Sequence, residues 1–578
     1  MCETCGCLAE ESTAAQTQAA AARAAATRAA PARAAATRAA PDRDLVLKRN
    51  NVERLKAEKF PLDIIHEIPE LAERNYLDIS EEDMVRFQWY GLYHDKPKVG
   101  YFMLRIKVPS GILTPAQYRT IGELAQRFGR NYTELSTRQN VQLHWIQIKQ
   151  LPEVFAALER VGLTSVGGCG DTVRNITGCP LAGLDAEELF DCRPVLREVV
   201  TYFLSHRDYF DLPRKHKITI STCAYHCNAP EINCIVFIGT RQRDAQGRER
   251  PGFSLRVGGG LSSTPRIARD LGVFVEPQDV LPTARAILDI WREDPKYRLS
   301  RAKARLKFLV DDYGPERVRA EIEQRLDRRL EDLAVVPTPA GHTDHLGIHR
   351  QKQEGLYYVG FPVFLGRVSG EQTIQLADLA ESYGGDVRLS RQQNFILTGI
   401  PEARLDEVIA RVAQIGFPLE VNRLRGASVA CTGQPLCNFA VATTKPKLEE
   451  IVLRLEERFG RQVEGLKLGV DGCPHACAHH WVTDIGLQGT TARGDGAKGK
   501  LEAYEIYLRG GLGANAAIGR PILRRVPADE APEYVERLVA AYLDERGEGE
   551  PFQAFAQRKS DDELQAIARG ERVPASVG

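Results

Sequence analysis

The sequence predicts an α+β protein built from two copies of one unit, related by an internal pseudo-two-fold axis. Two observations carry this prediction. Several motifs recur at an offset of 250 to 255 residues, and in both halves alternating apolar stretches are followed by stretches of helical periodicity. At 578 residues the chain is also too long for a single compact core, so we expect about two to four domains.

Four pairs of segments define the repeat. "LSTRQNVQL" at 135–143 returns as "LSRQQNFIL" at 389–397, and each copy follows one helical segment and precedes another. The other pairs are "TGCPLA" at 177–182 with "TGQPLC" at 432–437, "KITISTCAYHC" at 217–227 with "KLGVDGCPHAC" at 467–477, and "VGGGLS" at 257–262 with "RGGLGA" at 509–514. A duplicated unit predicts one functional site, or two, where the halves meet.

Changes in composition divide the chain into five segments. No large apolar side chain occurs between Ala9 and Asp44, so the first segment cannot bury enough surface to order and is predicted to be a tail. The Pro-rich stretch 335–345, after a long charged helix, is the predicted linker between the halves. The predicted segments are 1–44, 45–150, 151–334, 335–402 and 403–578.

Three cysteines, Cys2, Cys5 and Cys7, lie at the start of the tail in "CETCGC". The motif resembles the metal-binding amino terminus of hydrogenase nickel-insertion GTPases, and the Arg-rich tract after it is similar to an organelle transit peptide. Nothing else in the chain resembles those GTPases, and a cysteine cluster does not fit a transit peptide. Three thiols on an unfolded tail form a weak metal site, so we interpret the segment as a non-essential extension.

The charge balance excludes several classes of partner. Lys plus Arg equals Asp plus Glu at 77 each, without polarised halves, which argues against a nucleic-acid or anionic-membrane binder. The sequence has no apolar run of about eighteen residues and no secretory signal. We therefore expect a cytoplasmic protein, in which clustered cysteines bind metal or carry out redox chemistry.

Four of the thirteen cysteines lie in two Gly- and Pro-containing motifs of the second half: Cys431, Cys437, Cys473 and Cys477. Four thiolates suit either zinc or an iron–sulfur cluster. Structural zinc sites usually have about two to four residues between paired cysteines, whereas five separate the first pair here. Small neighbours such as Gly433 and Gly472 let the backbone approach an inorganic core. The spacing therefore favours a four-iron cluster over zinc.

The first half has kept only part of this ligand set. The positions aligned with the four cysteines are Ile176, Ala182, Cys223 and Cys227. Two aligned thiols cannot hold four irons, so we predict no second cluster there. Free cysteine is often buried, and the cysteines interpreted as buried packing or leftover thiols are Cys179, Cys192, Cys223, Cys227 and Cys234.

"CTGQPLC" at 431–437, followed by "GCPHAC" at 472–477 and "DIGLQG" at 484–489, resembles the cluster-binding signature of the sirohaem nitrite and sulfite reductases. The resemblance runs from about residue 45 to the carboxyl terminus. It implies two ferredoxin-like half-domains plus two sirohaem- and cluster-binding α/β domains. It also implies a 4Fe-4S cluster on the four cysteines and a bridge from Cys477 to the sirohaem iron.

The resemblance assigns binding of the substrate oxyanion to four cations of the first half: Arg105, Arg174, Lys215 and Lys217. Reduction of such an anion requires cations that also supply protons. If "RKHKIT" is extended, the two lysines share one face. Arg138 matches a family position that contacts the sirohaem carboxylates, whereas its repeat counterpart Gln392 is neutral.

Three further features belong to the expected cofactor pocket. The run Gly258, Gly259 and Gly260 is expected to lead into a helix start and to offer amides to sirohaem carboxylates, although such a run often only permits a tight bend. The histidines near Cys477 are expected to cover the cluster; they are His475, His479 and His480. Cys169 is expected to be partly exposed to the substrate cavity, where oxidation or a cross-link to Tyr93 is a hypothesis.

Lys217 is the residue that best separates the two substrates. Family members that reduce sulfite keep both lysines, whereas plant and cyanobacterial nitrite reductases tend to have Asn at the second position. The more highly charged anion gains from the additional cation, which favours reduction of sulfite to sulfide, with nitrite to ammonia as the alternative. Against this, "VRNITGCPLAGLD" at 173–185 and "DCRP" at 191–194 look closer to nitrite reductases.

No flavin or nicotinamide domain is recognisable, so the resemblance implies electrons from a small carrier such as ferredoxin, bound transiently by a monomer. Two other functions stay open: a precorrin-3B synthase-like enzyme of the same superfamily, and a non-catalytic electron-transfer or zinc-stabilised binding protein. The length, the complete pair of halves and the four cations favour the reductase over the first. Absence of a haem spectrum would favour the second.

Overall fold

The computed structural model describes residues 41–341, 343–493 and 499–571. Residues 1–40 of the predicted tail, with its three cysteines, lie outside this part, and the first described helix begins at Arg43. No helix within the described ranges is long and apolar enough to cross a membrane. Helices and strands occur in both halves, in agreement with the predicted α+β class.

Each half contains one ferredoxin-like unit with an antiparallel sheet. The strands of the first half are β1 Leu92–His94, β2 Phe102–Ile106, β3 Ile112–Leu113, β4 Thr133–Leu135 and β5 Val141–Ile146. Its helices are α1 Arg43–Arg49, α2 Asn51–Glu58, α3 Ile68–Glu73, α4 Glu81–Arg86, α5 Pro115–Phe128 and α6 Leu151–Arg160. The second half repeats the arrangement with β11 Gly347–Arg350, β12 Leu356–Phe361, β13 Arg367–Val368, α10 Gly370–Ser382, β14 Val387–Leu389, β15 Phe395–Pro401 and α11 Leu405–Ile415.

The two ferredoxin-like units exchange a short strand. The first sheet has the order β1-β2-β5-β4-β13 and the second β11-β12-β15-β14-β3, so each sheet ends on a strand from the other half. The pairing is reciprocal, with Val368 opposite Thr133 and Leu113 opposite Val387. This exchange is what an internal pseudo-two-fold axis between the halves produces.

Helices α5 and α10 pack against each other beside this exchange. A side-chain carbon on Gly122 of α5 would lie 2.7 Å from the carbonyl oxygen of Gly370, and one on Gly370 would lie 2.7 Å from the carbonyl oxygen of Gly122. The symmetric contact requires glycine at both positions, because no larger residue fits. Buried side chains of both units then form one continuous hydrophobic core.

Each half also contains an α/β domain with its own core. The first has β6 Ile218–Ser221, β7 Ile235–Arg243, β8 Glu249–Val257, β9 Arg269–Val275 and β10 Glu331–Asp332, with α7 Arg193–Ser205, α8 Val280–Glu293 and α9 Leu306–Leu326. The second has β16 Val429–Ala430, β17 Leu468–Asp471, β18 Ile485–Arg493, β19 Lys500–Leu508 and β20 Arg520–Pro527, with α12 Leu424–Ala427, α13 Lys445–Phe459, α14 Ala531–Glu545, α15 Phe552–Arg558 and α16 Asp561–Arg569.

The sheets of these two domains share four corresponding strands, β6 to β9 in the first and β17 to β20 in the second, and differ in the fifth strand. In the first, β6 is parallel to β7 and the remaining neighbours, up to β10, are antiparallel. In the second, β16, β17 and β18 are parallel, and β18, β19 and β20 are antiparallel. The carboxyl ends of the parallel strands in each sheet carry a loop with a cysteine pair, and ligands commonly bind at such an edge.

The two halves also share the positions of individual residues with a strained backbone conformation. Left-handed residues other than glycine occur at equivalent places in the two halves: Ser110 with Leu365, Gln139 with Gln393, His226 with Ala476, and Ala229 with His479. Such conformations are costly for residues with a side-chain carbon and persist where the surroundings require them. Their recurrence at the predicted offset confirms the internal duplication.

Candidate active site

The predicted cluster cysteines lie on two loops at one edge of the second α/β sheet. Cys431 follows β16, and Cys473 and Cys477 follow β17, so their loops begin where two parallel strands end. The Cys431 N–H donates to the Val470 carbonyl over 3.1 Å, and the Gly472 N–H donates to Cys431 Sγ over 3.3 Å. The second bond is a backbone amide directed at a ligand sulfur, as cluster sites use.

All four thiols of this set have raised pKa values, and burial is the largest cause for each. For Cys431, Cys473 and Cys477 the negative charge of Asp471 and the other thiols of the set add to this effect. The pKa of Cys473 rises to about 12. Because metal ligation requires thiolates, a set that resists ionisation in isolation fits a cationic metal core that stabilises the charge.

Cys477 differs from the other three by its exposure. Its surface is exposed, although burial is the main cause of its raised pKa. A thiol that opens onto a recess walled by protein is both accessible to solvent and surrounded by protein atoms. Lys215 and Lys217 of the first half act in the opposite direction and lower the pKa of Cys477. The recess beside Cys477 therefore lies close enough to these two lysines of the other half for their charges to act on the thiol.

Gly433 and Gly472 also permit close packing within the protein, and their expected approach to an inorganic core stays a prediction. A side-chain carbon on Gly433 would lie 2.2 Å from Thr444 Oγ1, and one on Gly472 would lie 2.9 Å from Ala440 Cβ and 3.4 Å from Gly433 Cα. The two glycines let the cysteine loops pack against each other and the neighbouring chain. The sequence identified the need for small residues, but the close neighbour is protein.

Arg105 and Arg174 converge on the loop that carries Cys169. Arg105 Nε and Nη2 donate to Gln142 Oε1 over 3.0 and 2.7 Å, and its Nη1 lies 3.1 Å from Cys169 Sγ. Arg174 Nη1 donates to the Gly168 carbonyl over 3.1 Å, and Arg105 Nη1 reaches the same oxygen over 3.3 Å. Burial lowers the pKa of Arg105, but the nearby side chains of Cys169, Tyr93, Cys477 and Cys437 raise it overall.

Lys215 and Lys217 flank a buried histidine on an extended segment. His216 is fully buried, whereas both lysines are half-buried, which agrees with the prediction that the lysines share a face. Burial, followed by the charge of Arg174, lowers the pKa of Lys215 to about 7. Burial and Arg138 hold the pKa of Lys217 well below its ordinary value. Both ammonium groups are therefore poised to gain from a nearby anion.

Eight cations lie around this recess without a carboxylate ion-pair partner. Within the described ranges none of them forms an ion pair: Arg105, Lys107, Arg138, Arg174, Lys215, Lys217, Arg305 and Arg391. Several lie close enough to lower one another's pKa, as Arg174 does for Lys107 and Arg138. Buried like charges are costly unless anions compensate them. The set fits a polyanionic cofactor and an oxyanion, as sirohaem and its substrate would supply.

Arg138 is partly held by protein groups. Its Nη1 donates to Asn233 Oδ1 over 2.8 Å and its Nη2 to the Asn175 carbonyl over 2.6 Å, while its buried Nε has no partner in the described structure. Arg138 lines a narrow cavity with Lys217 and His479. The unpartnered Nε and the cationic lining leave room for an anionic group, so contact with sirohaem carboxylates stays a prediction.

Three cations of the site were not found from the sequence: Lys107, Arg305 and Arg391. Arg391 lines the same cavity as Arg138 and lies one position before Gln392 in the repeated motif. A comparison of the repeats that allowed a shift of one residue would have identified it. Lys107 and Arg305 carry no motif, and only the fold brings them to the recess.

The glycine run does not begin a helix. Gly258 to Gly260 follow β8 and lead through a loop into β9, which corrects the expected helix start. The Gly258 N–H donates to the Cys234 carbonyl and the Gly260 N–H to the Arg266 carbonyl, both over 2.9 Å. These two amides are used within the protein, so amide binding of sirohaem at the run stays a prediction that rests on Gly259.

Cys169 is fully buried, so the expectation of partial exposure to the cavity is wrong in this structure. It nevertheless lies beside Arg105 Nη1 and close enough to Tyr93 to raise the pKa of that phenol, for which burial is the larger cause. Two of the three histidines, His475 and His480, contact residues in or next to the cysteine loops. His475 Nδ1 lies 3.6 Å from Cys473 Sγ, and His480 Nδ1 lies 2.9 Å from Asp471 Oδ2.

The site combines a four-thiol set suited to an iron–sulfur core with a recess of unpaired cations, which defines an anion-binding redox centre. Two family profiles match the chain. The nitrite and sulphite reductase 4Fe-4S domain matches residues 169–330 and 422–569, and the nitrite/sulfite reductase ferredoxin-like half domain matches residues 94–161 and 349–415. The chain belongs to the sirohaem-dependent nitrite and sulfite reductase family.

Relatives named as sulfite reductases and relatives named as nitrite reductases are both similar to this chain, over nearly the whole length of those relatives. Sulfite reductase (ferredoxin) 2 of Mycolicibacterium paratuberculosis is 35% identical over 541 residues, which cover 89% of this chain and 96% of the relative. The assimilatory ferredoxin-dependent nitrite reductase of Haloferax mediterranei is 35% identical over 542 residues, covering 88% and 92%. The solved structure of the Mycobacterium tuberculosis NirA protein superimposes with a TM-score of 0.84 at 34% identity, covering 89% of this chain and 97% of that one.

Proposed function

We propose that this protein reduces sulfite to sulfide by six electrons, with reduction of nitrite to ammonia as the alternative main activity. The observation that carries the proposal is the set of unpaired cations of the first half, of which Arg105, Lys215 and Lys217 lie close enough to Cys477 of the second half to interact with it electrostatically. An electron-transfer or zinc-stabilised binding protein has no need for such a recess. A precorrin-3B synthase-like enzyme is disfavoured by the full-length similarity to named reductases.

The residues that would hold the cofactors come from both halves. Cys431, Cys437, Cys473 and Cys477 would hold the 4Fe-4S cluster, and Cys477 would also help to hold the sirohaem. Arg138 would bind sirohaem carboxylates together with the Gly259 amide. When bound, the sirohaem and the cluster would supply the electrons for reduction of the anion.

The chain's own part in the reaction is to bind the anion and to provide protons. Arg105 and Arg174 are held in fixed orientations by backbone and glutamine oxygens, so their free edges can direct hydrogen bonds to oxyanion oxygens. Lys215, with a pKa of about 7, holds a proton that it can release near neutral pH. Lys217 adds a second amine, whose protonated, positively charged form a bound anion would favour.

Sulfite is preferred in this proposal because Lys217 is present. A second lysine contributes more attraction to a more highly charged anion when the surroundings are poorly solvated. The similarity to relatives does not separate the substrates, since sulfite and nitrite reductases are equally identical to this chain at 35%.

The electron donor we propose is ferredoxin, which is printed in the names of relatives from several organisms. A monomer is consistent with a site assembled within one chain from its two halves. All ten described cysteines are free thiols, which is in keeping with a reducing cytoplasm.

The visible spectrum of the purified, chelator-treated protein tests this proposal, followed by oxidation of reduced methyl viologen with sulfite and nitrite in parallel. Sirohaem bands with faster sulfite turnover are expected. Faster nitrite turnover would transfer the assignment to the alternative activity. A colourless protein that retains zinc and turns over neither anion would overturn the enzyme assignment.

A further inference from the structure

Four metal-ligating side chains converge in the first half, beside the cavity that Arg138 and Arg391 line, where Arg391 Nε donates to the Cys227 carbonyl over 3.3 Å. They are Cys179, Cys223, Cys227 and His345, here called the Cys3His group. Their sulfur and ring-nitrogen atoms all lie within 4.8 Å of one another, and all four residues are buried. Cys179 Sγ lies 3.7 Å from His345 Nε2. We propose that the Cys3His group binds one zinc ion.

The spacing of the ligand atoms fits a single tetrahedral ion. Zinc bonds of about 2.3 Å to sulfur and about 2.0 Å to nitrogen hold ligand atoms about 3.5–3.8 Å apart. The measured 3.7 Å between sulfur and nitrogen lies in this interval. A four-iron core holds its cysteine sulfurs further apart and takes four cysteines. Three cysteines and one histidine form one of the recognised structural zinc sets, with no open position.

The group occupies the pseudo-symmetric counterpart of the cluster loop. Cys223 and Cys227 follow β6 as Cys473 and Cys477 follow β17. The left-handed residues of the two loops also correspond, with φ values of 51° and 50° at His226 and Ala229 and of 55° and 64° at Ala476 and His479. The first half has thus kept the backbone of a metal-binding loop together with two of its thiols.

The other two ligands come from elsewhere in the chain. Cys179 replaces Gln434 in the repeated "TGxPL" motif, three residues after the position equivalent to Cys431. His345 ends the predicted linker, and its backbone is left-handed with a φ of 59°. Strained non-glycine residues persist where tertiary contacts demand them. Cys179 and His345 therefore have no counterpart among the four cluster cysteines, whereas Cys223 and Cys227 correspond to Cys473 and Cys477.

The turn that carries His345 is fixed from both sides. The His345 N–H donates to Thr343 Oγ1 over 3.1 Å, and the Leu346 N–H donates to Asp344 Oδ1 over 3.0 Å. Arg423 Nη2 donates to the same carboxylate oxygen over 2.6 Å. Nearer the cysteines, the Ala340 N–H donates to the Ala224 carbonyl over 2.9 Å.

The linker is thereby laid along the cysteine loop, and a zinc ion would fasten it there. Apolar side chains complete the shell around the thiols: Leu181, Tyr358 and Ile396. A dry, closed environment suits a structural ion and excludes solvent ligands. The ion would join the first α/β domain to the start of the second ferredoxin-like unit, and its binding would replace the thiol protons of the three cysteines.

Metal analysis of the full-length holoenzyme tests the proposal. Cys2, Cys5 and Cys7 are first replaced by serine, so that the tail cannot contribute zinc. Zinc and iron are then measured by plasma mass spectrometry in this background and with Cys223→Ser or His345→Ala. We expect about one zinc per chain, falling below about one fifth in either variant while iron is retained.

Matched controls separate the group from other thiols and histidines. Cys192→Ser removes a buried cysteine outside the group, His349→Ala removes an exposed histidine of the same segment, and Cys431→Ser removes a cluster ligand. All three should keep the zinc. Zinc that is lost with Cys431→Ser would locate the ion in the cluster loops and overturn the proposal.

A second measurement tests the zinc site without a substitution at any residue of the Cys3His group. In the tail-substituted protein, alkylation of the three thiols should occur only after treatment with a zinc chelator, while Cys192 stays unlabelled. Addition of zinc should restore the protection. Absence of zinc after equilibration with the ion, labelling that ignores the chelator, or iron in place of zinc at these residues would each overturn the proposal.

Discussion

The hydroxyl of Thr137 donates a hydrogen bond of 2.7 Å to the carbonyl oxygen of Cys477, a residue 340 positions later in the chain. Thr137 lies on the turn between β4 and β5, next to Arg138. The bond therefore joins the turn that carries a predicted sirohaem contact to the predicted bridging cysteine. Neither half of the protein could form this site alone.

Thr137→Val should loosen the Cys477 loop. Loss of the bond costs about 1 kcal/mol, which is about fivefold in an equilibrium. We expect iron to be released to a chelator about fivefold faster than from the parent protein. Thr240→Val, in β7, is the matched control and should leave the rate unchanged. Equal rates for both variants would show that the bond does not hold the loop.

Cys431→Ser should remove the cluster. A serine hydroxyl is a poor replacement for a thiolate ligand, so we expect iron to fall to less than about one fifth of the parent value. Cys192→Ser removes another thiol, buried away from the cysteine loops, and should retain full iron. Iron analysis together with the visible spectrum checks this. Retained iron and an unchanged spectrum would exclude Cys431 as a ligand.

Lys217→Asn should impair sulfite turnover more than nitrite turnover. The variant loses one cation from the recess, and the more highly charged anion loses more attraction. We expect kcat/KM to fall about tenfold or more for sulfite and about twofold for nitrite. Lys303→Asn, at an exposed lysine, should change neither. Equal losses for the two anions would remove Lys217 as the residue that separates the substrates.

Gln142→Leu should weaken anion binding through Arg105. Gln142 Oε1 accepts from two nitrogens of Arg105, and Gln142 Nε2 lies 3.3 Å from both Glu134 Oε2 and Thr432 Oγ1. Without this support the guanidinium gains freedom, so we expect KM for the anion to rise about tenfold with a smaller change in kcat. Gln324→Leu, on the exposed side of α9, is the control. A fall in kcat alone would contradict the positioning role.

His144 should make stability depend on pH above neutrality. Burial lowers its pKa, but Asp95 and Glu134 outweigh burial and raise it from 6.5 to about 9. A raised folded-state pKa means that the stabilisation is full below about pH 6.5 and is lost as pH rises through about 9. The loss is at most about 3 kcal/mol.

Thermal unfolding of the parent protein and of His144→Gln at about pH 6 and pH 9.5 measures this dependence. The parent should lose more stability between the two values than the variant. Gln cannot gain a charge, so its unfolding midpoint should respond only to the other titrating groups. An identical pH response in both proteins would exclude His144 as the group responsible.

Much of the fold followed from the repeat, because strand and helix periodicities and the spacing of turn residues are local properties. The duplication and the mixed helix and strand content were predicted correctly on this basis. The reciprocal exchange of β3 and β13 was not foreseen. Two-residue strands carry almost no periodicity, and their pairing depends on the neighbouring unit.

Part of the candidate site was also predicted from the sequence. The motifs that contain Cys431 and Cys477 were recognisable because cluster ligands need particular spacings and small neighbours. The burial of Cys169 and the loop after Gly258 differed from expectation, because both depend on how distant segments pack around them. Lys107 and Arg305 were missed for the same reason, since a buried cation is indistinguishable in sequence from a solvated one.

The sequence by itself determined the family, the paired architecture and the residue types of the cluster loops. Tertiary structure decided which cations share a recess without carboxylates, and that Cys179 and His345, 166 positions apart, lie 3.7 Å from each other. The physical reason is the separation along the chain over which each property is encoded. Motifs record chemistry that is encoded over a few residues, whereas electrostatics and metal ligation depend on distances that only the packed chain defines.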